Sequence, residues 1–185
     1  MKNDLGANNV LFTREPFEQG LRSEIYDAIK KGYSPQAVMF MFLADRAEHI
    51  EKVIKPALQK NIPVISDRYM DSTIAYQGAT LKDHLKVDEL SLLRNLHKEW
   101  VLIPDLTILL DINEKKALKR ISGRSDTYID EYEKADHLQT TRLNFLELVS
   151  REPRRFVIVD ADRKPEQLQR KVKEILFDYF PSLES

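Results

Sequence analysis

The chain has 185 residues, 42% hydrophobic and 32% charged, with 5 glycines and no cysteine. That is enough to build a hydrophobic core, and it excludes collagen-like, low-complexity and disulfide-rich architectures as well as thiolate chemistry. With Lys+Arg at 29 against Asp+Glu at 30, a net charge of -1, the global footprint of a nucleic-acid polymer binder is missing, so any basic site must be local. No apolar run is long enough to cross a bilayer and the start carries no signal-peptide pattern, so a soluble cytoplasmic protein without a membrane partner is expected.

In chain order, a short apolar run at Asn9–Thr13 predicts a first strand, and Phe17–Lys31 then carries helical spacing. Pro35–Lys60 predicts a long helix, opened by Ser34-Pro35 and apolar on more than one face over Val38–Leu58, hence central. Ile62–Ser66 predicts a second strand with a helix after it, and Val87–Trp100 a further helix. Leu106–Ile112 and Phe156–Asp160 predict two more strands, separated by helical patterns over Glu114–Ser122 and Asp130–Arg151. Pro165–Phe180 predicts the last helix. Alternation of this kind predicts an α/β fold with a parallel sheet covered by helices on both faces, in a single domain over residues 1–185. Ligands of such sheets sit at the carboxyl ends of the strands.

Four clusters could carry chemistry. Ser66–Gly78 follows a strand and opens a helix. Its Asp67-Arg68 places a group able to organise a metal or accept a proton beside one that clamps phosphate in a bidentate fork, which suits phosphoryl transfer. The structural alternative is an ion pair with a helix cap, although Ser72, Thr73, Tyr76 and Gln77 add polar groups at helical spacing. Thr13-Arg14-Glu15-Pro16 also ends a strand, and by itself reads equally as a turn with a solvated ion pair. On the central helix, Phe42 and Arg46 stand four residues apart on one face, an aromatic plane beside a guanidinium, which suits a flat base. The alternative places Phe42 in the core and pairs Arg46 with Asp45 or Glu48. Finally, Lys119–Asp126 sets Gly123 between Arg120 and Arg124, a segment able to close over phosphates or simply a basic helix end. His49, His84, His97 and His137 have no metal-like spacing and are read as surface or packing residues.

Taken in this order, the four clusters resemble the thymidylate kinase family. Asp67-Arg68-Tyr69 with Ser72–Gly78 is similar to its signature, Thr13–Pro16 to its acceptor-side loop, and Phe42–His49 to its base-binding helix. Pro104–Asp111, the Arg120–Arg124 lid (about 120–135) and Val159-Asp160-Ala161 complete the likeness, which runs from about Val10 to the last helix. The resemblance implies a three-layer, P-loop-kinase-like fold and transfer of the γ-phosphate of ATP to dTMP with Mg2+, in dTTP biosynthesis. It also implies a homodimer through the central helices. Phe42 would stack on thymine and Arg46 bond its edge; Arg68 would bind the acceptor phosphate, with Asp67 beside the metal. Tyr76 would face the deoxyribose, Thr73 and Gln77 the base, and Arg14 and Pro16 would shape the acceptor loop. Arg120 and Arg124 would serve the phosphates and adenine, with Ala161 in the adenine-side loop.

Two departures stand beside this. The family opens with a strand and a glycine-rich phosphate loop. Gly6, Gly20, Gly32, Gly78 and Gly123 fit no such pattern, so a strand, loop and most of a helix, about 20 residues at usual element lengths, are expected to be missing. In the family that strand lies between those ending at Asp67 and Asp111, whose inner edges would then be bare, and little turnover is expected. Also, Phe17-Glu18-Gln19 stands where many members have two glycines after the proline. Two functions follow as alternatives: a dTMP kinase, or a non-catalytic dTMP binder without an ATP cradle. A purely structural protein would not account for four clusters in this order.

Overall fold

The computed structural model describes residues 10–82, 84, 88–122 and 134–183. They fall into two compact units, one within Asn8–Ile103 and one within Pro104–Ser185.

The first unit opens with strand β1 (Leu11–Arg14), followed by helices α1 (Arg22–Lys30) and α2 (Pro35–His49). Helix α1 stops at Gly32, whose φ of +70° lets the N–H groups of Gly32 and Tyr33 turn back onto the carbonyls of Ile29 and Ala28. Space does not demand glycine there, since a Cβ would meet nothing within 4 Å. Ser34 caps α2 by accepting the N–H of Ala37 at 3.3 Å, and Pro35 occupies its first turn. The helix does not run on as α to Lys60. It widens into a π-helical segment over Ile50–Ile54 and ends in the short α3 (Lys55–Leu58). Strand β2 (Val64–Asp67), α4 (Met70–Leu81) and α5 (Glu89–His97) complete the unit. Its apolar interior gathers around Ile25, Met39, Ile50, Ile74, Leu81 and Leu93, with α2 packed on α1 and α4, and α5 on α4.

The second unit contains β3 (Thr107–Asp111), α6 (Glu114–Ser122), α7 (Ala135–Arg151), β4 (Phe156–Asp160) and α8 (Pro165–Tyr179), closed by a 3-10 turn at Pro181–Leu183. Leu148, Phe156, Val159, Ile175 and Leu176 are buried there. Arg155 ties the start of the strand pair together, its Nη1 donating to Thr107 Oγ1 at 2.7 Å.

The described residues form two sheets rather than one, and the split falls between β2 and β3, the strands that end at Asp67 and Asp111. β1 pairs with β2 and β3 with β4, both parallel, in two separate two-stranded sheets. The expectation that the strands are covered on both faces is corrected. No residue of β1, β2 or β3 is fully buried, and Leu110 and Ile158 are 46% and 47% exposed; among the described residues each strand has a single partner and so one unpaired edge.

Candidate active site

The parallel pairing of β1 and β2 sets Arg14 opposite Asp67 at the carboxyl end of the first sheet. Both are exposed, and Arg68 beside them is exposed as well. Arg68 holds φ at +68°, a left-handed conformation that costs an L-residue free energy and recurs at functional sites. This backbone turn places the Arg68 guanidinium over the Tyr76 ring, 4.8 Å from its centroid, with Nη2 3.4 Å from the phenolic oxygen. Asp67 and Arg68, adjacent in sequence, thus diverge, and Arg68 is held by an aromatic face about two turns along α4 rather than by its neighbour's carboxylate.

Immediately after Arg14 the chain turns inward. Glu15 and Pro16, joined by a cis peptide bond, are both buried. Glu15 there meets Arg46 of α2, the largest of the fully buried side chains, at 1% exposure. Arg46 Nη2 donates to Glu15 Oε2 and, at 2.8 Å, to Thr73 Oγ1 of α4; Nη1 donates to His97 Nε2 of α5 at 2.8 Å. The Tyr69 ring covers the guanidinium, 5.3 Å away. Burial, with the charge of Glu15 second, pushes the Tyr69 phenol well up, so the ring stays neutral. The Nε of Arg46 is buried without a partner. A paired buried charge of this kind adds little net stability, but it fixes the geometry of the groups that hold it.

His49, one turn further along α2, extends the network. Its Nδ1 donates to Glu15 Oε1 at 3.0 Å, and its Nε2 lies 2.7 Å from Thr13 Oγ1. Phe17 stacks on its ring at 4.9 Å. Asp45 accepts the backbone N–H groups of Phe17 and Leu21 at 2.7 and 2.8 Å, and so pins the loop between β1 and α1 to α2. Burial raises the Asp45 carboxyl above its ordinary value, and those two N–H groups oppose the shift.

Among the sequence candidates, Arg46 and Thr73 are brought into direct contact, Arg68 and Tyr76 likewise, and Arg14 and Asp67 share a register position. Phe42 is half-buried on the same face of α2 as Arg46, and Gln77 is fully buried on α4. Arg46 pairs with neither Asp45 nor Glu48: Asp45 is committed to the loop and Glu48 to Lys52. Of the histidines read as surface or packing residues, His49 and His97 are both 0% exposed, and each is hydrogen-bonded as well as packed. An acidic residue, a basic one and a histidine at 45, 46 and 49 of a largely apolar helix are the sequence signal for this network.

In the second unit, Arg120 Nη2 donates to the Ala161 carbonyl at 2.9 Å, and the Ala161 N–H donates to the Asp111 carbonyl at 2.8 Å. Asp111 receives a two-point fork from Arg142, Nε to Oδ1 at 2.6 Å and Nη2 to Oδ2 at 2.8 Å. These hydrogen bonds hold its carboxyl below the usual carboxylate range. Arg142 was not foreseen from sequence. Arg124 and most of the lid, at 123–133, lie outside the described residues. Among the described residues no group of three or more His, Asp or Glu could by itself hold a metal ion.

The family profile described as thymidylate kinase matches residues 2–172. A probable thymidylate kinase of Methanosarcina acetivorans is 43% identical over 183 residues, covering 98% of this chain and 87% of the relative. A thymidylate kinase of Clavibacter michiganensis is 39% identical over 171 residues, covering 88% and 77%. The crystal structure of thymidylate kinase from Ehrlichia chaffeensis superposes with a TM-score of 0.70 at 27% identity, covering 95% of this chain and 84% of that one. These matches lend no support to the expected loss of a first strand and phosphate loop, since the profile already engages the chain at residue 2.

Proposed function

We propose that this chain, which belongs to the thymidylate kinase family, transfers the γ-phosphoryl group of ATP to dTMP, giving dTDP and ADP for dTTP synthesis. The observation that supports this best is the end of the β1–β2 pair. There Arg14 stands opposite Asp67 with Arg68 next to it, all three exposed; Arg68 rests on Tyr76 of α4, and the same helix carries Thr73, which contacts Arg46 of α2. An acceptor nucleotide needs that combination: cations for its phosphate, a stacking surface and fixed donors for its base.

In this reading Arg68, propped on Tyr76, forks the acceptor phosphate and aims one of its oxygens at the γ-phosphorus. As that oxygen bonds to phosphorus, the bond to the β–γ bridging oxygen breaks and ADP departs, so the protein contributes placement and charge rather than covalent chemistry. Phe42 stacks on thymine, Arg46 donates to its carbonyl edge, and Thr73 and Gln77 line the base. Tyr76 stands against the sugar, and Arg14 and Pro16 hold the acceptor loop. A magnesium ion that arrives with nucleotide phosphates needs only one or two protein carboxylates, and the exposed Asp67 fits that requirement. When bound it neutralises phosphate charge. Of Arg120 and Arg124, one serves the donor phosphates and the other adenine, with Ala161 in the adenine-side loop.

A homodimer through α2 belongs to the same reading, supported by Phe40, which stands 57% exposed on that helix. A cytoplasmic setting belongs to it as well; no helix of the described residues is long and apolar enough to cross a membrane.

The alternative is a dTMP binder with little or no turnover. One experiment separates the two: dTMP titration by calorimetry beside a coupled assay of ATP turnover on the intact protein. Binding with turnover is expected. Binding without it transfers the assignment to the binder, and no binding overturns both.

A further inference from the structure

We propose that His97, on α5, is the positioning residue that sets the guanidinium of Arg46 for base recognition, and that it thereby takes part in selecting a pyrimidine with a 4-carbonyl over one with a 4-amino group. The inference rests on Arg46 reading the base edge and adds the residue that makes the reading selective.

His97 is fully buried, and its protonation pattern is dictated from both sides. Nδ1 lies 2.6 Å from the Leu93 carbonyl, which can only accept, so Nδ1 carries the hydrogen. Nε2 therefore offers a lone pair to Arg46 Nη1, which can only donate, at 2.8 Å. A neutral imidazole is needed for this, since a second N–H would face the guanidinium. Burial first and the Arg46 charge second hold its pKa down at about 4, which keeps it neutral at physiological pH. Trp100 stacks on the ring from the other side, with centroids 5.9 Å apart and planes 21° from parallel.

With His97 on Nη1 and Glu15 and Thr73 on Nη2, three separate segments grip the guanidinium: the β1–α1 loop, α4 and α5. Its Nε–H remains buried without a partner. A guanidinium held in one orientation presents donors only. It can satisfy a carbonyl on a base edge but not an amino group, and a buried donor facing a donor is strongly disfavoured. Without the acceptor on α5, Nη1 loses its anchor and the guanidinium can turn away, so discrimination falls more than affinity in general.

The test is calorimetric titration of the full 185-residue protein with dTMP and with dCMP, for wild type, His97→Leu, His97→Gln and Arg46→Lys. Wild type is expected to prefer dTMP. His97→Leu should weaken dTMP by about 10-fold and dCMP by much less, one anchoring hydrogen bond's worth. His97→Gln, whose Oε1 can still accept from Nη1, should recover most of the preference. Equal loss for both nucleotides, or an unchanged preference in His97→Leu, would assign His97 to packing and overturn the proposal. Unchanged dTMP binding in Arg46→Lys would remove the base reading itself; loss there with no change at His97 defeats the positioning role alone. Should His97→Leu not fold, 15N shifts of the His97 ring in the wild type decide. Movement of Nε2 with dTMP and not with dCMP is expected, and no response to dTMP overturns the proposal.

Discussion

A Cβ built on Gly20 would overlap Oδ1 of Asp45, the carboxylate oxygen that accepts the Leu21 N–H. It would also stand 3.1 Å from Cδ1 of Phe17. Asp45 cannot swing clear without releasing at least one of its two backbone donors, and Phe17 is buried against His49. Gly20→Ala should therefore destabilise the protein by about 1–3 kcal/mol, the worth of a charge-assisted hydrogen bond in a buried setting, and weaken dTMP binding through the displaced loop. Urea unfolding with a parallel titration checks this; a neutral Gly20→Ala would mean that Asp45 is not what holds the loop.

Arg68 carries strain that its function justifies. At φ +68° glycine is the preferred residue, so Arg68→Gly should raise stability by roughly 0.5–1 kcal/mol after the exposed Tyr76 contact is lost. The same variant should lose 10-fold or more in dTMP affinity, on the order of one charged fork. Arg68→Ala should lose the affinity without the gain. Thermal melting beside calorimetry reads both, and unchanged dTMP affinity in either variant would refute the phosphate role.

For stability against pH, the sign at His97 follows from its lowered folded-state pKa. The unfolded chain protonates this histidine near 6.5 and the folded chain only near 4. The groups facing it are Arg46, Glu15, Asp71 and the Leu93 carbonyl. Folding stability should fall as pH drops from about 6.5 to about 4, by roughly 3 kcal/mol attributable to this group. His97→Gln should show a shallower loss across that window in urea titrations at fixed pH. Identical slopes for the two proteins would contradict a buried neutral imidazole.

Asp111 has a folded-state pKa below the ordinary carboxylate value of 3.8, chiefly through the hydrogen bonds from Arg142. Its contribution is present above that value and is lost as pH falls through the folded pKa. Asp111→Asn should cost about 1–2 kcal/mol at pH 7 for a partly exposed fork, and the gap to wild type should close toward the acid end. A gap that persists unchanged at low pH would show that the side chain matters through packing rather than charge.

The elements were legible because periodicity and punctuation are local. Ser34-Pro35 and Lys164-Pro165 mark helix starts that the structure keeps at Pro35 and Pro165, and all four apolar runs became strands. The helix predicted from Phe17 begins only at Arg22, because Asp45, 28 residues away from Phe17, draws the intervening backbone into a turn. The same distance hides the partners of Arg46. Glu15 lies 31 residues before it and His97 51 after, whereas local reasoning offered only Asp45 and Glu48. Arg68 and Asp67 could be singled out because strand end and signature coincide, but the backbone twist that separates them has no sequence mark.

The π-helical stretch Ile50–Ile54 bears on how this chain is to be aligned. A π turn holds an extra residue relative to an α turn, so the rod from Pro35 to Leu58 contains more chain than its length requires. Setting it beside an uninterrupted α-helix calls for a gap within 50–54. With the gap there, Arg46 and His49 upstream and Ala57 downstream can all keep their inward faces; placed elsewhere, one end of the helix is read about 100° out of phase.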